Sequence, residues 1–220
     1  SKIQRLEEIS GDIEILSPTY KFARPNLYGI SDGNDLLKIK SATRAGMKIY
    51  QLRDKASDEA LLGEKILKIK KEIQETCLFI LNDNLKLAKE YETSLHLGQD
   101  DEEISLARKI LGRDPIIGAT AKTAELAIDA ENMGASYIGS GAFFETETKR
   151  DASMINLEIY KDIRDSILIP AFPIGGINKE NLDLFKGVDI PGLCMSSGIF
   201  SLDENEVEKN VREIISKLNG

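Results

Sequence analysis

The sequence predicts an α/β fold, a single (β/α)8 TIM barrel, and three observations carry that prediction. Short apolar runs alternate with amphipathic helical stretches eight times between Asn26 and the C-terminus. Some runs are apolar throughout, such as Cys77-Leu78-Phe79-Ile80-Leu81, as expected of parallel strands covered by helices. No shift in composition divides the 220 residues, which favours one closed barrel over a doubly wound sheet.

Residues 1–25 carry short apolar pieces broken by Gly11, Pro18 and Pro25, and read as a lead-in segment ahead of a barrel domain over 26–220. Leu27-Tyr28-Gly29-Ile30 is the first strand, and Leu36, Leu37, Ile39 and Ala42 mark a helix after it. The second strand covers 47–52, and Leu61, Ile66, Ile69 and Ile73 give the long helix that follows its one-sided stripe. Strands over 77–81, 94–97, 115–118, 135–139, 168–174 and 192–195 follow in turn. Helices are predicted near 85–91, 104–111, 124–133, 155–163 and 182–185, and Val207, Val211, Ile214 and Leu218 mark the last.

Composition bounds the function. A hydrophobic content of 41% with 30% charged residues supports a sizeable core. The net charge of −8 argues against general nucleic-acid binding and against attachment to anionic membrane. No apolar run is long enough to span a bilayer, and the first residues resemble no secretory signal. Cys77 and Cys194 each sit in an apolar run and read as buried free thiols of a reducing compartment. The expectation is a cytoplasmic enzyme or binding protein that acts on small molecules, with a homo-oligomer left open.

In a barrel of this kind the site lies where the strands end. After the second strand, Gln51, Arg53 and Lys55 share one face of the extended chain and form an anion cradle, a fork beside a point charge. The alternative for each cation is a solvated surface position. Asn82-Asp83-Asn84 ends the third strand, and Asp100-Asp101 follows the fourth. Asp83 and Asp101 suit either helix caps or a Mg2+ ion held by few protein ligands and completed by ligand phosphates. Thr120 and Lys122 follow the fifth strand, and residues 145–150 form a polar loop that suits a lid carrying hydroxyls and a cation. Gly175-Gly176 and Ser196-Ser197-Gly198 match the phosphate site that barrels place after strands seven and eight. His96 lies within a strand and reads as a hydrogen-bonded interior residue before a general base.

These motifs, in this order, resemble the thiamine-phosphate synthase family: Leu27-Tyr28-Gly29-Ile30-Ser31-Asp32, Gln51-Leu52-Arg53-Asp54-Lys55, Leu81-Asn82-Asp83, His96-Leu97-Gly98-Gln99-Asp100-Asp101, Tyr137-Ile138-Gly139, Thr146-Glu147-Thr148-Lys149 and Ile174-Gly175-Gly176-Ile177-Asn178. The resemblance implies a transferase that joins hydroxymethylpyrimidine diphosphate to hydroxyethylthiazole phosphate, releasing pyrophosphate. It implies that Gln51, Arg53, Lys55 and Asn82 hold the pyrophosphate, with Lys149 reaching it from the loop and the Thr120 hydroxyl bonding it. Asp83 and Asp101 would bind Mg2+. Thr146, Thr148 and the segments at Gly176, Ser196 and Ser197 would meet the thiazole phosphate.

The sequence departs from the family pattern at Thr120 (usually Ser), Lys122 (usually His) and Ala142 (usually Pro). Two other readings share the barrel. A thiazole tautomerase of the same superfamily would want an imidazole where Lys122 stands, and a non-catalytic phosphate-binding barrel would not need the Asp83–Asp101 pair.

Overall fold

The protein was analysed as a computed structural model that describes residues 26–73, 76–145 and 154–220. The strands are β1 (Asn26–Ser31), β2 (Ile49–Leu52), β3 (Leu78–Asn82), β4 (Ser94–Leu97), β5 (Ile117–Thr120), β6 (Tyr137–Ser140), β7 (Ala171–Pro173) and β8 (Gly192–Met195). The helices are α1 (Leu36–Arg44), α2 (Glu59–Ile73), α3 (Leu85–Glu90), α4 (Ile104–Leu111), α5 (Ala124–Asn132), α6 (Leu157–Ser166), α7 (Ser197–Phe200) and α8 (Glu204–Asn219). Parallel ladders join the strands in the order β7-β6-β5-β4-β3-β2-β1-β8, and β7 lies beside β8 to close the ring. The expected eight-stranded barrel is the architecture found.

Two apolar layers follow from the alternation of side chains along each strand. Leu27, Leu52, Leu81, Leu95 and Ile138 face outward and pack under the helices with Ile39, Ile66, Ala107, Ala127, Ile163 and Val211. Tyr28, Ile49, Ile80, Ile116, Tyr137, Phe172 and Cys194 point inward and fill the ring. Tyr28, Tyr137 and Phe172 meet edge to face there, with centroids 5.6–5.8 Å apart. Both cysteines are buried free thiols, as expected.

Several boundaries differ by one to a few residues from the sequence reading, and three of the differences matter here. Strand β5 begins two residues later than its apolar run, because Ile116 N–H donates to the Ser94 hydroxyl at 3.1 Å before the ladder starts. This shift makes Thr120 the last strand residue instead of part of the loop. Strand β7 is shorter than its apolar run because the Glu131 carboxylate takes the N–H groups of Leu168 (2.6 Å) and Ile169 (3.0 Å). Leu182–Phe185 forms a 3-10 turn where a helix was expected.

The amino-terminal foot of the barrel is tied by Arg108 on α4. Its guanidinium donates to the carbonyls of Gly112, Arg113, Pro115 and Gly134 and to the Ser136 hydroxyl. These oxygens belong to the segments leading into β5 and β6, so the clamp lies opposite the strand ends that bear the functional residues.

Candidate active site

A cavity of about 330 Å³ opens at the carboxyl ends of the strands. It is lined by Gln51, Arg53 and Lys55 from β2 and its loop, Asn82 at the end of β3 and Asp83 just after it, Asp101 after β4, and Thr120 at the end of β5 with Lys122 beyond it. The structure therefore brings together residues as far apart in sequence as Gln51 and Ser196, as the rim reading expected. Gln51, Arg53 and Lys55 do share a face, at three depths: Gln51 is 2% exposed, Arg53 half-buried and Lys55 at the mouth.

The capping alternative for the two aspartates is settled by their neighbours. Asn84, not Asp83, caps α3 by accepting from Leu87 N–H at 2.9 Å. At α4 the cap position is Glu103, and the Asp101 carboxylate turns back to accept from Gly98 N–H. Asp83 stands at φ 64°, a left-handed conformation that a residue with a Cβ adopts at a cost of about 1–3 kcal/mol. It is held there by its N–H bond to the His96 carbonyl at 2.8 Å, which aims the carboxylate into the cavity.

Electrostatics join these groups. Lys55 forms an ion pair with Asp83, and Asp83 hydrogen-bonds Asp101. Burial pushes both carboxyls upward. For Asp83, the hydrogen bond from Asp101 and the Lys55 ammonium outweigh burial and hold it low; Asp101, bonded to Asp83, stays above the usual range. The two neighbours are thus pushed apart, Asp83 towards easier ionisation and Asp101 towards harder. Two adjacent carboxylates that leave most coordination positions to other ligands are a donor set that fits Mg2+.

The loop bearing Arg53 and Lys55 is braced from behind by Asp54. Its carboxylate accepts from Ala56 N–H (2.9 Å), Ser57 N–H (3.1 Å), the Ser57 hydroxyl and Lys65, whose ammonium also reaches Asp32 O and Asn34. Burial alone would raise the Asp54 carboxyl, but Lys65, Ser57 and the two backbone donors hold it well below the usual carboxylate range. A depressed folded pKa adds stability that is complete above the unfolded value of about 3.9 and is lost as pH falls below it. Replacing Asp54 with Asn is expected to remove about 3 kcal/mol, since it breaks a nearly buried pair. Urea titrations at pH 7 and pH 3 check this, with the gap between the two proteins narrower at the lower pH.

The deeper wall holds groups that sequence reading did not connect. His96 is buried and hydrogen-bonded, as expected, and it also lines the cavity. Its Nδ1 lies 2.8 Å from the Tyr137 hydroxyl and its Nε2 3.1 Å from the Thr120 hydroxyl. Tyr28 and Tyr137 were read as plain strand residues. An inward tyrosine in a parallel strand needs a polar partner for its hydroxyl, which was the available signal. Gly175 and Ser196 line the cavity, with Gly176 and Ser197 the next residues along the chain. Thr146, Thr148 and Lys149 lie outside the described residues.

Comparison with known proteins agrees with this geometry. The family described as thiamine monophosphate synthase matches residues 27–199. The thiamine-phosphate synthase of Fusobacterium nucleatum is 41% identical over 195 residues, covering 86% of this chain and 92% of the relative. That of Clostridium acetobutylicum is 39% identical over 189 residues, covering 84% and 89%. The thiamine phosphate pyrophosphorylase structure from Pyrococcus furiosus superposes with a TM-score of 0.80 at 29% identity, covering 88% of this chain and 95% of that one. With the pattern spanning nearly all of the barrel and its rim residues gathered around one cavity, the chain belongs to the thiamine-phosphate synthase family.

Proposed function

We propose that this barrel joins hydroxymethylpyrimidine diphosphate to hydroxyethylthiazole phosphate, forming thiamine phosphate and pyrophosphate. The observation that carries the reading is the meeting of Arg53, Lys55 and Lys122 with Asp83 and Asp101 in one cavity at the strand ends. The carbon–oxygen bond to the diphosphate breaks with its electron pair leaving on oxygen, and the thiazole nitrogen then supplies a pair to the exposed carbon. Charge therefore grows on the leaving group, and that is where the cations act. At about 4 Å and an effective dielectric of about 20, each is worth roughly 4 kcal/mol.

Asp83 and Asp101 would hold Mg2+, which supplies further neutralisation of the departing diphosphate. Asn82 and the Thr120 hydroxyl offer hydrogen bonds to the same oxygens. Gly175, Gly176, Ser196 and Ser197 offer small side chains and backbone N–H groups to the second phosphate, with Thr146, Thr148 and Lys149 assigned by resemblance. No basic nucleophile from the protein is required. Among the described residues no helix is long and apolar enough to cross a membrane, and small-molecule substrates are all the chemistry demands.

The test is direct assay. Purified protein with both substrates and Mg2+ is expected to release pyrophosphate and thiamine phosphate in equal amounts. Absence of product with verified substrates overturns the reading. Conversion of a thiazole phosphate supplied alone would favour the tautomerase instead.

A further inference from the structure

Five side chains from five different strands form an unbroken hydrogen-bonded line beneath the cavity. Gln51 Nε2 donates to the Tyr28 hydroxyl at 2.6 Å, and the Tyr28 and Tyr137 hydroxyls are 2.6 Å apart. Tyr137 continues to His96 Nδ1 at 2.8 Å, and His96 Nε2 to the Thr120 hydroxyl at 3.1 Å. The line crosses the ring from β2 through β1, β6 and β4 to β5, and both of its ends line the cavity. The barrel is built around it. A Cβ at Gly118 would overlap the Tyr137 ring, and one at Gly139 would come within 3.4 Å of His96 Cε1.

Such a line has a direction. Burial keeps both tyrosines protonated, so each has one hydrogen to give. Tyr28, accepting from the Gln51 amide, gives its hydrogen to Tyr137, which gives its own to His96 Nδ1. The ring proton then sits on Nε2 and points to Thr120, whose hydrogen turns outward into the cavity. Reversing any link reverses all of them, and a reversed line would present Thr120 to ligands solely as an acceptor. An anionic ligand among Arg53, Lys55 and Lys122 needs donors, so it favours the first direction.

We propose that Tyr28, Tyr137 and His96 are positioning residues. They form a single polar wire through which the amide orientation of Gln51 fixes the hydroxyl direction of Thr120, so that the cavity presents a carbonyl acceptor at Gln51 and a donor at Thr120 to one ligand. This matches a molecule with an N–H donor at one end and phosphate oxygens at the other, so Gln51 would meet the N–H end and not the pyrophosphate to which the resemblance assigned it. That functional part rests on the proposed reaction. The wire itself does not, and it can be read without substrate.

His96 is the single histidine of the chain, so 15N labelling of histidine gives a one-residue spectrum of the wire. At pH 8, above the ordinary imidazole pKa of about 6.5, the wild-type ring is expected to carry its proton on Nε2. Gln51→Glu replaces the donor with an acceptor and should move the proton to Nδ1. In a Tyr137→Phe background, which keeps the ring and removes the link, Gln51→Glu should leave the His96 spectrum unchanged. Tyr137→Phe alone should lower kcat/KM about tenfold, the usual effect of one lost hydrogen bond, with its melting temperature held as control. A wild-type ring protonated on Nδ1 or on both nitrogens would overturn the proposal. So would a His96 spectrum indifferent to Gln51→Glu, or one that responds equally with and without the Tyr137 hydroxyl. Failure of the enzyme assay with the spectra as expected would instead count against the reaction and leave the wire standing.

Discussion

Replacing Arg53 with Ala is expected to lower kcat/KM by two to three orders of magnitude, roughly 10²–10³-fold, while the melting temperature moves by no more than about 2 °C. The two halves of that expectation have separate physical sources. Arg53 lines the cavity half-buried, and among the described residues its guanidinium forms no ion pair. Its removal therefore strands no partner, and substitutions of that kind stay within about 0.5 kcal/mol in stability. The loss falls instead on the leaving diphosphate, where one cation contributes roughly 4 kcal/mol at close range. Arg53→Lys should recover part of the rate, because it restores the charge without the two-pronged geometry. Steady-state kinetics and a thermal melt decide the matter. A variant that unfolds while its remaining folded fraction turns over normally would show the site to be misplaced.

Chelation of divalent metal is expected to reduce turnover at least about 100-fold, with full recovery on adding Mg2+. Asp83 and Asp101 stand side by side in the cavity, and Asp83 is paired with Lys55. Asp83→Asn should raise the Mg2+ concentration needed for half-maximal rate by more than tenfold, since it halves the charge the protein offers the ion. Titration of Mg2+ against both proteins at saturating substrate reads this shift. Full activity of the wild-type protein in chelator, confirmed metal-free, would exclude the Mg2+ role.

Much of this was legible in the sequence because barrels convert order along the chain into place. Apolar runs such as 77–81 and one-sided helices such as Glu59–Ile73 identify the units, and the strand-end rule then collects Gln51, Asp83, Asp101 and Thr120 at one rim. What escaped depends on pairings that no local window contains. Glu131 shortens β7 by capping N–H groups 37 and 38 residues away. The Tyr28–Tyr137 contact joins residues 109 apart, and it needs the ladder that sets Gly118 beside Tyr137. The depths of Gln51, Arg53 and Lys55 likewise follow from barrel curvature, which alternation alone does not give. The roles of Thr146, Thr148 and Lys149 rest on family likeness.

Among the described residues, seven neighbouring strand pairs are laced by ladders, whereas β7 and β8 merely abut. The staves of the cask are thus hooped everywhere but at one join, and that join lies beneath Gly175 and Ser196 at the cavity mouth. Among the described residues, parting it breaks no backbone ladder bond, so local opening of the ring costs least there.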